Sequence, residues 1–279
     1  MKFLVITQDL RVSGTSAGIG RRSLLAKIKR AYPKSELDVL YLSTSNNDDN
    51  LDILPVNNII KTKINKKIPW VIKQINKIYW RLLNVSLSEK IILKRFSNEI
   101  NKLDYSSYDH ILITSSGVNH ESIMCLLCSP ILKKSNLIFH DPYHLAWYVG
   151  SHIQIKKVDL YKLQRVVSIV QKSRSCATTA NYMSHDLQHL YSSKNKFYTL
   201  AHQFDKSVFN SDYENINLKK SKKITITYHG AFMFGRNPRN LLKAYKELLT
   251  VNPNYNKETQ IILRAKGRGI EELKKEFEQ

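Results

Sequence analysis

No apolar run in this chain approaches the roughly 18–20 residues needed to cross a bilayer, so no segment reads as a membrane-spanning helix. Cysteine is scarce and odd in number, 3 in 279 residues, which argues against a disulfide framework and for a reducing cytoplasm. The amino terminus, MKFLVITQDL, has one lysine, few apolar residues and no small-residue cleavage site. It reads as a first buried strand and not as a secretion signal. No Asp-x-Asp pair is present, so a carboxylate-bound metal is not indicated. Internal repeats and low-complexity tracts are absent as well.

Positive charge is abundant. Lys and Arg number 44 against 23 Asp and Glu, a net charge of +21, and such an excess attracts polyanions. Between Lys61 and Lys102 lie eleven Lys/Arg and two Glu, so almost half of the excess sits in about a seventh of the chain. This section reads as helices, one opening near Pro69 and another running from Ser88 to about Lys102. Trp70, Lys73, Lys77, Trp80 and Arg81 fall near one helical face, with isoleucines on the other. Tryptophan with lysine and arginine suits a peripheral contact with an anionic membrane surface. A nucleic-acid surface is the competing reading, because aromatics among lysines also stack on bases.

Strand-like and helix-like segments alternate. Strands are expected at 2–8, 36–43, 109–116, 136–141, 175–180 and 196–202. Helices are expected at 23–31, 120–132, 158–173 and about 182–190. The alternation predicts an α/β fold with a parallel sheet and right-handed crossovers. Asn210 to Lys223, polar and lysine-rich, is the best linker. It separates a domain at 1–215 from a second at 216–279, where two further strand–glycine–helix units begin another parallel α/β domain.

In such sheets ligands bind beyond the carboxyl ends of the strands. After the first strand come Gly14, Gly18, Gly20, Arg21 and Arg22. Their spacing is neither a P-loop nor G-x-G-x-x-G, and a ligand loop and a flexible connection both fit it. His140-Asp141-Pro142 follows another strand; it could orient a hydroxyl at a reaction centre, or form a turn capped by its own Asp. In the second domain Arg236 and Arg239 flank Pro238 at a helix N-terminus, a place that suits a diphosphate. Lys266-Gly267-Arg268-Gly269 repeats the theme. Cys125 and Cys128 lack partners for a zinc site and read as a buried helix face.

Taken in order, SGTSAGIGRR, SCATTANYMSHDLQHLY, LAHQFDKSVF and YHGAFMFGRNPRNLLKAYKELL resemble segments of the retaining glycosyltransferases of the GT-B fold, the large bacterial class called family four. Asp205 and Phe209 match its Asn-Gly-Val-Asp-x-x-x-Phe segment, with His202-Gln203 in place of Asn-Gly. The resemblance implies a Rossmann-like N-terminal, acceptor-side domain and a C-terminal, donor-side domain of which 216–279 is the first portion. It implies transfer of a sugar from a nucleotide diphosphate to a glycan or lipid-linked acceptor, in bacterial surface polysaccharide synthesis. No metal or other cofactor is implied, and positive charge with helix dipoles stabilises the departing diphosphate. By position, Gly14, Gly18 and Gly20 would face donor phosphates and acceptor in the cleft. His140 or Asp141 would lie near the transferred sugar as catalytic residues, and Arg236, then Arg239, would bind the diphosphate. The expected location is the cytoplasm, on the inner face of the plasma membrane. The family's Glu-x7-Glu pair is missing, because eight residues after Glu271 stands Gln279. The expectation is a chain truncated within its second domain and poorly active alone. A non-catalytic partner subunit and a basic nucleic-acid-binding protein are the alternatives.

Overall fold

The computed structural model describes residues 1–12, 15–46, 49–117, 119–143, 154, 156–191, 193, 197–209, 221–231, 238–266 and 270–277. It divides into two compact units, Met1–Asn210 and Ser211–Gln279.

The first unit is built on seven parallel strands: β1 (Lys2–Thr7), β2 (Glu36–Ser43), β3 (Asn58–Lys63), β4 (His110–Thr114), β5 (Ser135–Phe139), β6 (Ser175–Thr178) and β7 (Phe197–Thr199). Their order is β3-β2-β1-β4-β5-β6-β7. Around them run α1 (Ser16–Ala31), α2 (Trp70–Leu83), α3 (Leu87–Ile100), α4 (Glu121–Met124), α5 (Lys157–Lys172) and α6 (Asn181–Leu190). Alternate residues of β1 point to opposite faces, as a pleated strand requires. Leu4 and Ile6 enter a cluster with Leu93 and Phe96 of α3, Val166 and Ile169 of α5, and Met183 and Leu187 of α6. Phe3 and Val5 enter another with Leu24, Leu25 and Ile28 of α1. Burial on both faces explains why KFLVIT reads as an unbroken apolar run.

Several sequence expectations change. The first helix begins at Ser16 and not at Ser23, so Gly18, Gly20, Arg21 and Arg22 are helical rather than loop residues. Thr15 causes this: its hydroxyl accepts from the Gly18 amide and caps the helix. The expected helix over 120–132 is only α4 followed by turns, with a separate 3-10 turn at Pro130–Lys134. Proline holds Ser129 in extended backbone, which ends a helix before it. Strand β3 was not foreseen; it stands at one end of the order, with a largely exposed sequence, NIIKTK, that merges into the basic section. Cys125 is buried as expected, but Cys128 is exposed.

The second unit pairs β8 (Ile224–Ala231) with β9 (Thr259–Lys266) in parallel, and carries α7 (Arg239–Val251), α8 (Tyr255–Glu258) and α9 (Ile270–Phe277). Pro238 stands at the N-cap of α7, one position before that expected. The linker expected over 210–223 lies mostly outside the described residues.

Candidate functional site

Parallel pairing throughout places every strand's carboxyl end on one edge of the first unit's sheet. Strand order reverses between β1 and β4, the switch point where loops diverge and leave a crevice. The Thr7 and Thr114 hydroxyls, the last residues of those strands, bond across the seam at 2.9 Å.

The loop after β1 is organised by Asp9, a buried carboxylate. It accepts from the Arg11 amide at 3.1 Å, from Arg11 Nε at 2.9 Å and Nη2 at 2.6 Å, and from the Thr15 hydroxyl at 2.9 Å. Gly18 passes so close that a Cβ there would lie 2.6 Å from the Arg11 carbonyl oxygen and 2.9 Å from Asp9 Oδ1. Gly18 thus serves close packing, and its amide is already spent on Thr15. Gly14 lies outside the described residues.

Arg22 and Arg21 are neighbours with different work. Arg22 is fully buried and donates to four carbonyls: Leu10 (2.9 Å), Asp49 (2.6 Å), Asn50 (2.9 Å) and Val208 (2.9 Å). It also lies over the Phe209 ring. Asp205, matched to the family segment by sequence, is likewise structural. It accepts from the Ser207 amide and hydroxyl and pairs with Arg30 at 2.6 Å. Arg21 is only 4% exposed, donates weakly to the Ser115 carbonyl at 3.4 Å, and has an Nε with no hydrogen-bond partner. Burial pulls its pKa down to about 10, against the pull of Asp9 and Asp141. Arg21 is therefore a cation at neutral pH, held under the carboxyl edge with little to neutralise it.

His140 follows β5 directly. Its amide donates to the Ser115 hydroxyl at 3.2 Å, its Nε2 meets Ser16 Oγ at 3.2 Å, and its buried Nδ1 has no partner. His202, just beyond β7, meets the His140 ring edge-on at 4.6 Å between centroids. Gly20 makes room for it, since a Cβ there would stand 3.1 Å from His202 Nδ1. Burial lowers His140 to about 4; Asp141 opposes that shift, while Arg21 and His202 add to it. His202 is lowered by burial and by Arg21. Both imidazoles are thus neutral at pH 7. Each can donate from one nitrogen and accept at the other, which suits recognition of hydroxyl groups near a positive charge.

The structure therefore brings together Ser16, Gly20, Arg21, Ser115, His140 and His202. Asp141 belongs to the same electrostatic group through His140 and Arg21. Ser16 and His202 are site residues that sequence reading missed. The clue to His202 was the departure at His202-Gln203 from the family segment. The clue to Ser16 was Gly14-Thr15-Ser16-Ala17-Gly18, which has the G-x-S-x-G spacing of serine nucleophiles. That chemistry is not supported here. A long loop, not a sharp elbow, separates β1 from Ser16; no carboxylate bonds His140 Nδ1; and an imidazole depressed to about 4 is a poor base for a hydroxyl proton.

Of the donor-side residues, Arg236 lies outside the described residues, as do Gly267, Arg268 and Gly269. Arg239 opens α7 and forms an ion pair with Glu276 of α9, Nε to Oε2 at 3.1 Å. Glu121, which sequence reading did not single out, is buried between Lys66 Nζ (2.6 Å) and Gln8 Nε2 (3.0 Å). Burial resists its ionisation, but Lys66 and these hydrogen bonds outweigh it and hold the carboxyl below its ordinary range. No group of three His, Cys, Asp or Glu able to hold a metal occurs among the described residues.

No protein-family model matches this chain, and no curated protein resembles it closely enough to count. Solved structures do. A protein assigned as a UDP-N-acetylglucosamine 2-epimerase from Listeria monocytogenes is 12% identical with a TM-score of 0.54, over 99% of this chain and 66% of that one. The N-terminal domain of Candida albicans trehalose-6-phosphate phosphatase is 10% identical with a TM-score of 0.58, over 94% and 64%. The UDP-GlcNAc 2-epimerase from Neisseria meningitidis, bound to UDP-GlcNAc, is 10% identical with a TM-score of 0.52, over 96% and 67%. The chain spans about two thirds of the length of these structures. Identities this low establish the fold alone: a GT-B-like, Rossmann-type α/β arrangement.

Proposed function

We propose that this chain belongs to a glycosyltransferase that moves a sugar from a nucleotide diphosphate to a glycan or lipid-linked acceptor in bacterial surface polysaccharide synthesis. The observation that carries this reading is the cluster at the β1–β4 switch point. Two neutral imidazoles, His140 and His202, and the Ser16 hydroxyl stand around a buried, under-neutralised Arg21. Hydroxyl-rich substrates with a nearby phosphate suit that combination. The fold supports it, since two of the similar structures are named for a UDP-sugar and one holds it.

In this reading His140 is the catalytic residue. It bonds a hydroxyl of the transferred sugar and positions the anomeric carbon. Arg21 does not touch the substrate; it supplies a fixed positive potential where negative charge develops on the leaving group, a preorganised electrostatic contribution. Arg236 remains the diphosphate ligand that the sequence nominates. Transfer proceeds with retention at the anomeric carbon and without a metal.

The test combines binding and product analysis. The chain is titrated with UDP- and GDP-sugars by calorimetry, and products from a mixture of donor and lipid-linked acceptors are read by mass spectrometry and NMR. Binding of one donor, weakened at least tenfold by His140→Ala with the fold intact, supports the proposal. Conversion of the donor to its C2 epimer without transfer would overturn it. So would binding of single-stranded DNA with no response to any nucleotide sugar.

A further inference from the structure

Among the described helices of the first unit longer than one turn, α2 stands apart: it has no buried residue. It is nonetheless firmly placed. Asn76 Oδ1 accepts from the Ser88 amide at 3.1 Å, and Lys90 Nζ donates to the Tyr79 hydroxyl at 3.3 Å. Both bonds fix α2 on α3, which is itself anchored in the core by Leu93, Phe96 and Ile100.

One exposed side of it is apolar. Val71 (58% exposed), Ile75 (46%), Ile78 (64%) and Leu82 (74%) follow one another at intervals of four, three and four residues, a single helical stripe about 16 Å long. A second stripe, Lys73, Lys77 and Arg81, all exposed, runs further round the helix: at 3.6 residues per turn Arg81 borders the apolar stripe, Lys77 follows it, and Lys73 lies roughly opposite Leu82. Trp70, 72% exposed, stands at the start of the helix. The helix carries no acidic residue, and the two Glu of the basic section are engaged elsewhere, Glu89 with Lys162 and Glu99 with Lys102. The positive stripe is therefore not neutralised from within its own section.

An aliphatic stripe beside a basic one matches the chemistry of one partner, the surface of an anionic bilayer. Aliphatic side chains enter the headgroup–acyl boundary, ammonium and guanidinium groups reach the lipid phosphates, and tryptophan prefers that boundary. The helix is too short to cross, and no helix among the described residues is long and apolar enough to do so. A nucleic acid fits less well: Trp70 and Trp80 stand among the basic residues and could stack on bases, but a polyanion there leaves Val71, Ile75, Ile78 and Leu82 in water. A second copy fits less well too, since pairing two such faces brings the flanking Lys77 and Arg81 near their own like charges.

We propose that α2 lies in the plane of an anionic membrane, with Val71, Ile75, Ile78 and Leu82 inserted and Arg81 and Lys77 reaching the headgroups from the flank. This moves the inserted surface from the tryptophan–lysine face expected from sequence to the aliphatic one. The inference is independent of the sugar chemistry and goes beyond it.

The test is flotation with vesicles containing phosphatidylglycerol and with pure phosphatidylcholine vesicles. The wild-type chain should float with the former only, with the Trp70 emission shifted to the blue. At about a fivefold change in partition per basic residue, Lys77→Glu with Arg81→Glu should reduce binding more than tenfold. Ile75→Ser with Ile78→Ser should reduce it comparably while thermal stability stays unchanged, because both side chains are exposed. The proposal is overturned if the serine variant binds as well as wild type, which would leave charge alone at work. It is also overturned if single-stranded DNA binds more tightly than the vesicles, or if the wild type dimerises through this face and ignores lipid.

Discussion

Two glycines about 3 Å of helix apart should respond to alanine differently, and the difference tests the description of the carboxyl edge. Both lie in α1, where alanine is favoured over glycine by about 1 kcal/mol. At Gly20 the new methyl would stand 3.1 Å from His202 Nδ1, the end of a side chain that can rotate away. At Gly18 it would stand 2.6 Å from the Arg11 carbonyl and 2.9 Å from Asp9 Oδ1, so backbone must move. That movement strains the carboxylate that holds Arg11 and Thr15, where charge-assisted hydrogen bonds contribute roughly 1.5–3 kcal/mol each. With overpacking itself costing about 1–3 kcal/mol, Gly18→Ala should destabilise by roughly 1–4 kcal/mol after the helical gain is subtracted. Gly20→Ala should fall within about 0.5 kcal/mol of wild type on the same reasoning. Thermal unfolding reads the difference at about 2–4 °C per kcal/mol for a unit of this size. Gly20→Ala should instead appear in function, since it displaces His202 from His140. A tenfold loss of donor affinity with unchanged melting is expected. The reasoning is refuted if Gly18→Ala melts at or above the wild-type temperature, or if Gly20→Ala is the less stable of the two.

Arg22→Met should destabilise the first unit by about 3–5 kcal/mol, because four buried carbonyls lose their donor at once; chemical denaturation showing under 1 kcal/mol would contradict the clamp. His140 should remain neutral down to about pH 5 by NMR titration, where an ordinary histidine would be almost fully protonated. The sign for stability follows: as pH falls from about 6.5 towards 4, the unfolded chain takes a proton that folded His140 refuses, so stability declines across that window. His140→Phe should flatten that decline.

Much of the fold was readable because the strands alternate regularly with helices and are buried on both faces. KFLVIT and ELDVLYLS are strongly apolar and β-branched or aromatic, so their period and length identify them without tertiary information. Strand β3 escaped because it is an outermost strand with four half- or fully exposed polar residues against two apolar ones. The early start of α1 escaped because glycine ordinarily argues against a helix, and here it is required by a clash visible only in three dimensions. The site was half legible. His140 declares itself by following a strand. The roles of Arg21 and Arg22 are set by what each side chain meets, and adjacent identical residues carry no sequence signal that separates a buried clamp from an electrostatic source. The exposure of Ile75 and Ile78 was equally hidden, since an apolar stripe in a helix ordinarily implies a core beneath it.

The Arg22 guanidinium also bears on how the polypeptide matures as it is made. One of its four acceptors, Val208, lies 186 residues downstream of it. During translation at ~5–20 residues per second, α1 would wait roughly ten to forty seconds for that carbonyl to leave the ribosome. Over that interval the charged group must stay hydrated and the helix loosely docked. A chaperone that shields the nascent N-terminal segment would have its longest opportunity there.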